Sequence, residues 1–394
     1  MVLRGLLVLG AISLPLVAQG YAEVGDREAV TRSDELLLVD EPMVQIPVRV
    51  TYPSKAATGK LPVILFSHGA GGSKENEKPI VTAWAAAGYV VIEPDHDDRD
   101  QLRRAALEGS PGAEGATEPG PRRRGGRGGA VASPRAGSRS GALGAGQSRP
   151  RSRRGGSRGG ELRQRMRQML QDPETWRRRV ADLQDILDHL DRVEAQIPAL
   201  AGRLDRERIG VGGHSFGAFT SQLMAGARSF ALDGSVADPR PRAFVLLSPQ
   251  GRGQQGLADS SWDDCRRPML AVSGSEDGGF TGQSGEDKLD PYRFGPPEDK
   301  LGLMIDGAAH ASFTGRLTQD SAAQRRQRDV DDERRLFEWI VSATVAFWDA
   351  YLKEEPKAQR YLASDALAEA SGGRADLRRR EVENSTAGAA YPSP

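Results

Sequence analysis

Ile209-Gly210-Val211-Gly212-Gly213-His214-Ser215-Phe216-Gly217-Ala218 decides how the rest of the chain is read. A short apolar run leads into Gly213-x-Ser215-x-Gly217, and a helical segment follows from about Ala218 to Ala227. This is the strand–turn–helix setting of a nucleophile elbow. The demand is steric: a serine held at the tip of a sharp turn brings backbone close on both sides, where only glycine fits comfortably. Taken alone, the pentapeptide suits a Gly-rich turn with an incidental serine equally well. The remaining chain must supply a base, an acid and oxyanion donors.

Working outward, apolar runs alternate with helical spacing. Met43–Tyr52 reads as a strand, and Pro47 places it at an edge or a bulge. Leu61–Phe66 is a continuous apolar run of the buried parallel kind, ending in Ser67-His68-Gly69-Ala70-Gly71-Gly72. Pro79–Ala87 carries helical spacing up to Gly88, and Tyr89–Ile92 starts another strand. Further on, Asp172-Pro173-Glu174 is a helix start, with Trp176, Val180, Leu183, Leu187, Leu190 and Val193 three or four apart. Ala243–Leu247, Pro268–Val272 and Leu301–Ile305 are strand-like, and a last helix is expected over about Asp331–Leu352. Such alternation predicts an α/β domain, its central sheet mostly parallel and covered by helices on both faces.

At 394 residues the chain is long enough for one large domain, here 23–370. Lysines and arginines (54) balance aspartates and glutamates (54), so net charge gives no reason to expect nucleic acid or an anionic surface as partner. Cys265 is the single cysteine, which excludes an intrachain disulfide and a cysteine-based metal cluster. Residues 1–22 read as a secretory signal. Arg4 precedes the apolar Gly5–Val17, which is too short to span a bilayer, and small residues favour cleavage near Ala22, with Ala18 as competitor. The mature protein is therefore expected to be secreted or periplasmic, with no stable membrane span. Residues 107–160 are Gly, Arg, Ser, Ala and Pro with almost no large apolar side chains, and are expected to be a disordered surface insertion. No aromatic is interleaved to stack on bases, so no specific nucleic-acid binding is expected from them. A polar tail, 371–394, is expected to be flexible.

A serine hydroxyl is a poor nucleophile unless a base lies within hydrogen-bond reach and a third group orients that base. When the nucleophile rides an elbow of this kind, the acid and then the histidine follow it in the chain. The chain has five histidines. His68 belongs to a Gly-rich turn, His96 precedes the elbow, His189 lies mid-helix and His214 is the serine's own neighbour, with a side chain expected to diverge. His310 remains, in a loop at the C-terminal end of the last strand, where sites in such sheets form. For the acid, Asp277 follows the Pro268–Val272 strand; Glu276 is its near rival, and Asp306 sits on the wrong strand. The tetrahedral intermediate needs two N–H donors, each worth about 3–4 kcal/mol of barrier. The backbone amides of Phe216 and Ala70 are the candidates. Phe216 and Gln250 are also candidates for the acyl pocket, with Trp262 weaker. No residues are assigned to a metal.

His68-Gly-Ala-Gly-Gly72, Gly213-His-Ser-Phe-Gly217, Gly274-Ser-Glu-Asp277 and the His310 loop resemble the α/β-hydrolase superfamily. Within it they are most similar to the dienelactone-hydrolase-like and platelet-activating-factor acetylhydrolase-like serine esterases. The resemblance spans about 40–352, apart from the Arg/Gly-rich insertion. It implies an α/β-hydrolase fold and a serine hydrolase that cleaves carboxylic esters, small or polymeric, through an acyl-enzyme with no cofactor. True dienelactone hydrolases use a cysteine where this chain has Ser215. A serine peptidase on the same fold, or a binding module whose Arg/Gly tract contacts anionic polymers, are the competing readings.

Overall fold

The computed structural model describes residues 20–22, 29–40, 43–55, 59–74, 78–97, 155–278, 282–315 and 330–380. Most of the expected signal, the C-terminal residues 381–394 and all of the Arg/Gly-rich insertion before Gly155 lie outside them.

Nine strands form one sheet in the order β1-β2-β4-β3-β5-β6-β7-β8-β9. They are β1 (Val30–Asp40), β2 (Met43–Pro53), β3 (Leu61–Ser67), β4 (Val90–Pro94), β5 (Leu204–His214), β6 (Ala243–Leu247), β7 (Met269–Glu276), β8 (Lys300–Ala309) and β9 (Ala375–Arg379). From β4 to β8 every pairing is parallel, while β1, β2 and β9 run antiparallel at the flanks. The helices are α1 (Lys78–Ala86), α2 (Gly155–Leu170), α3 (Pro173–Asp188), α4 (Leu190–Gln196), α5 (Phe216–Ala225), α6 (Asp290–Phe294), α7 (Val330–Tyr351), α8 (Pro356–Ala363) and α9 (Ala366–Ser371). This is the α/β-hydrolase fold.

Burial on both sheet faces explains the unbroken apolar strands. Along β3, Val63 and Leu65 enter the core beneath α3 and α5, while Ile64 and Phe66 enter the one beneath α1 and α7. The glycines of β5 serve this packing. A Cβ on Gly210 would lie 2.6 Å from the Trp348 ring, and one on Gly212 would lie 3.1 Å from Trp84. With small residues there, the two indoles pack edge to face at 5.5 Å over the elbow strand, both fully buried. Burying an aromatic of this size removes about 150–250 Å² from water, on the order of 4 kcal/mol each.

Three sequence expectations need correction. Pro47 is neither at the edge nor on a bulge: β1 lies outside β2, and Pro47 pairs in register with Leu36. It falls just beyond the β2–β4 ladder, where its carbonyl accepts from the Asp95 N–H at 2.7 Å. Second, helical order begins at Gly155, inside the stretch expected to be an insertion and ahead of Asp172. Asp172 does cap the next helix, accepting from the Glu174 and Thr175 N–H groups. Third, residues 371–380 are no loose tail, since β9 closes the sheet against β8 in register from Leu301↔Arg379 to Ile305↔Ala375. Tyr21 and Ala22, the last residues of the expected signal, contact α7: the Tyr21 hydroxyl donates to Asp349 at 2.9 Å and Ser342 donates to the Ala22 carbonyl at 3.0 Å.

Candidate active site

β5 ends at His214, and Ser215 takes φ 55°, ψ −118°, a conformation costly for a side chain other than glycine, before α5 begins at Phe216. The Ser215 N–H donates to the Leu247 carbonyl at 2.9 Å, fixing the turn to the end of β6. The flanking glycines are set by contact. A Cβ on Gly213 would sit 2.3 Å from the Gly217 backbone, and one on Gly217 would sit 1.8 Å from the Ser67 carbonyl oxygen. The elbow therefore rests directly on the turn that follows β3. That turn closes with the Gly72 N–H donating to the Gly69 carbonyl at 3.0 Å, Gly71 taking φ 63°. A Cβ on Gly69 would lie 3.6 Å from the Ser215 Cβ. Gly69, the residue before Ala70, thus lies against the elbow serine. The first N–H groups of a helix have no partner within it, which makes the Phe216 amide a candidate oxyanion donor.

Asp277 and His310, 33 residues apart, meet at the C-terminal ends of β7 and β8, with His310 Nδ1 2.9 Å from Asp277 Oδ1. The carboxylate is wholly buried and the imidazole about one-third exposed. Burial pushes the Asp277 pKa up, but the His310 hydrogen bond and the Lys288 charge outweigh it and hold the carboxyl below its usual range. Burial pulls the His310 pKa down; the Asp277 bond opposes this, while the nearby His214 and Lys288 reinforce it. The net result favours a neutral imidazole. With Nδ1–H donated to Asp277, Nε2 carries the lone pair, which is the tautomer a general base requires.

Ser215 and His310 are not hydrogen-bonded to one another; among the described residues neither the Ser215 hydroxyl nor His310 Nε2 has a hydrogen-bond partner. Their loops are joined through His214, whose Nε2 donates to the His310 carbonyl at 2.9 Å with the rings 4.8 Å apart. The His214 side chain thereby ties the elbow to the histidine loop. In unliganded hydrolases the serine–histidine bond is often loose and tightens when substrate binds.

Of the expected pocket residues, Phe216 is only 1% exposed and stacks on Phe219 beneath the Arg179 guanidinium. Its ring offers no surface to a substrate, so only its backbone can serve the site. Trp262 is fully buried and donates to Gln222 at 2.8 Å, as a packing residue would. Gln250 lies beyond β6 with its carbonyl accepting from Gln222 at 3.2 Å, and its buried Oε1 is unpartnered among the described residues. The rivals of Asp277 do not reach the imidazole: Glu276 is exposed at the strand end, and Asp306 accepts from Ser275 at 2.9 Å.

Sequence reasoning missed a second buried network that supports the turn after β3. Ser67 Oγ lies 3.0 Å from His96 Nε2, and His96 Nδ1 lies 2.6 Å from Asp182 on α3. His68 Nε2 accepts from the His96 N–H at 3.2 Å, and Arg179, one turn before Asp182, donates to the His68 carbonyl. α3 thereby reaches across to hold the Gly-rich turn. Ser67 repeats the Ser–His–Asp pattern with no access to solvent, so it is structural. Also missed were Ser248, whose hydroxyl lies 2.8 Å from His310 Nδ1, and Lys288 beside it. Ser248 had one sequence signal, its place directly after β6; Lys288 had none.

Fold and site together define an α/β-hydrolase with a serine at its elbow. Comparison with known proteins adds the branch. The family described as platelet-activating factor acetylhydrolase, isoform II, matches residues 22–118, which include the His68–Gly72 turn. The platelet-activating factor acetylhydrolase of Cavia porcellus is 21% identical over 321 residues, covering 78% of this chain. The chain spans 61% of that relative's length. It is thus similar to the platelet-activating-factor acetylhydrolase-like α/β-hydrolases. Among the described residues no helix is long and apolar enough to cross a membrane.

Proposed function

We propose that this chain is a secreted serine hydrolase cleaving carboxylic esters of short acyl groups, with Ser215 as nucleophile, His310 as base and Asp277 as its orienting acid. The observation that carries the reading is the 2.9 Å Asp277–His310 bond beside a serine held at positive φ between strand and helix. Ser215 attacks the ester carbonyl as His310 Nε2 takes its proton, and the oxyanion rests on the Phe216 and Ala70 amides. His310 then protonates the departing alcohol, leaving the acyl group on Ser215. Water, deprotonated by His310, attacks that acyl-enzyme, and the carboxylic acid leaves as Ser215 recovers its proton. No step calls for a metal or cofactor.

The short-acyl preference follows from the relative's name, an acetylhydrolase. Steady-state hydrolysis of p-nitrophenyl acetate, butyrate, octanoate and palmitate tests it. Turnover should be highest on the short esters and fall to background in Ser215→Ala. Equal rates for wild type and Ser215→Ala would refute the nucleophile, and a preference for palmitate would refute the substrate class. We further propose that the leader is cleaved at Ala18 rather than Ala22, since Tyr21 and Ala22 hold positions on α7.

A further inference from the structure

One charged group at the site has no part in the steps above. Lys288 lies on the short 3₁₀ turn Asp287–Leu289, its side chain 4% exposed, with Nζ 2.8 Å from Ser248 Oγ and 3.1 Å from Asp277 Oδ1. Those two oxygens are also the partners of His310 Nδ1, at 2.8 and 2.9 Å. An ammonium and an imidazole therefore share the same pair of oxygens. Sequestering an ammonium is costly unless its donors are satisfied, so chance placement is disfavoured. The turn is also built to deliver it. A Cβ on Gly285 would lie 2.0 Å from the Gly274 carbonyl, so this loop rests on the end of β7. Asp287 Oδ2 accepts from both the N–H and the hydroxyl of Ser284, at 2.9 and 2.8 Å, closing the turn.

We propose that Lys288 is a positioning residue for the His310–Asp277 pair: its ammonium clamps Asp277 Oδ1 and Ser248 Oγ, fixing the carboxylate's rotation against the imidazole. The inference rests on the hydrolase reading above. Its chemical logic has two parts. With Oδ1 taken by Lys288 and His310, and Oδ2 accepting from Ser273 at 3.4 Å, the carboxylate cannot turn without losing partners. The positive charge near the ring also opposes imidazolium formation, which keeps the base available in more acidic solution. Burial pulls the Lys288 pKa below its ordinary value, and the Asp277 charge and hydrogen bond offset that shift only in part.

Among the described residues, the titratable groups facing His310 are Asp277 at the end of β7, Lys288 on the turn and His214 at the end of β5. From α7, Glu333 reaches the same loop by accepting from Ser312 at 3.1 Å. Among the described residues, Lys288 shares Asp277 Oδ1 and Ser248 Oγ with His310, so neutralising Lys288 isolates its charge from the rest.

Two readouts on the full chain test this: the NMR titration midpoint of the His310 ring, assigned with His310→Ala, and the acid limb of kcat/KM for p-nitrophenyl acetate. Lys288→Gln keeps a donor but removes the charge, and Lys288→Arg keeps the charge. Lys288→Gln should raise both midpoints by about one pH unit, while Lys288→Arg stays within about 0.3 units of wild type. A fall in rate that is uniform across pH, with an unmoved His310 midpoint in Lys288→Gln, would overturn the proposal. Turnover absent from the wild type, with the His310 midpoint still shifted by Lys288→Gln, would overturn the hydrolase reading instead. Should Lys288→Gln fail to fold, Lys288→Met read by the same titration replaces it under the same criteria.

Discussion

Gly217→Ala probes the contact on which the site is built. The added Cβ would lie 1.8 Å from the Ser67 carbonyl oxygen, 2.4 Å from its carbon and 2.8 Å from the His68 carbonyl oxygen. All three neighbours are backbone, so no flexible side chain can yield. To restore even 3.0 Å, α5 and the turn after β3 must part by about 1.2 Å. Overpacking of this kind costs about 1–3 kcal/mol and at times more; with backbone on both sides, the upper end applies. The same displacement separates the Phe216 and Ala70 amides, and a misplacement of about 1 Å at a catalytic constellation can lower rate about 100-fold. Urea unfolding followed by fluorescence reads the first effect, and kcat for p-nitrophenyl acetate on the folded fraction reads the second. A variant within 0.5 kcal/mol of wild type that kept its kcat would refute the argument that Gly217 couples elbow and turn.

Two more outcomes follow. Because burial and the Lys288 charge help hold His310 below its ordinary value, the neutral base persists into acid: the acid limb of kcat/KM should fall below about pH 6.5. A limb at or above about pH 7 would mean that the imidazolium is favoured after all. Intact mass of protein exported by a secreting host should place the mature N-terminus at Gln19; an N-terminus at Glu23 would show that the Tyr21 contacts on α7 are dispensable.

Much of the fold could be read from the chain because its signals are local. The Gly213-x-Ser215-x-Gly217 spacing reports a steric limit that depends on neighbouring backbone, and the unbroken Leu61–Phe66 run reports burial on two faces. His310 emerged by elimination, and Asp277 from its place after a strand. What stayed hidden depends on partners distant in sequence. β1 and β9 are charged, antiparallel flanking strands whose pairing is specified by register, as in Asp34 opposite Arg49 with 2.9 Å between their charged atoms. The misreading of Pro47 has the same origin, because the Leu36–Val39 run that covers it sits at the end of a strand whose first half is charged, and was not assigned from the sequence. Lys288 looked like any solvated lysine until the turn carried it under Ser248. His96 and Asp182 lie on opposite sides of the Arg/Gly-rich stretch, so no spacing rule connects them. The Phe216 error was one of direction: the ring was also expected to line the acyl pocket, and it points into the core instead.

Intact-protein mass spectrometry after reaction with a fluorophosphonate, with the adduct mapped by peptide fragmentation, puts the central claim to its most direct test. An activated serine should take up one phosphonyl group on Ser215, and acid conversion of His310 to imidazolium should abolish the reaction. Folded protein that stays unmodified, or that carries the group on another residue, would contradict the account.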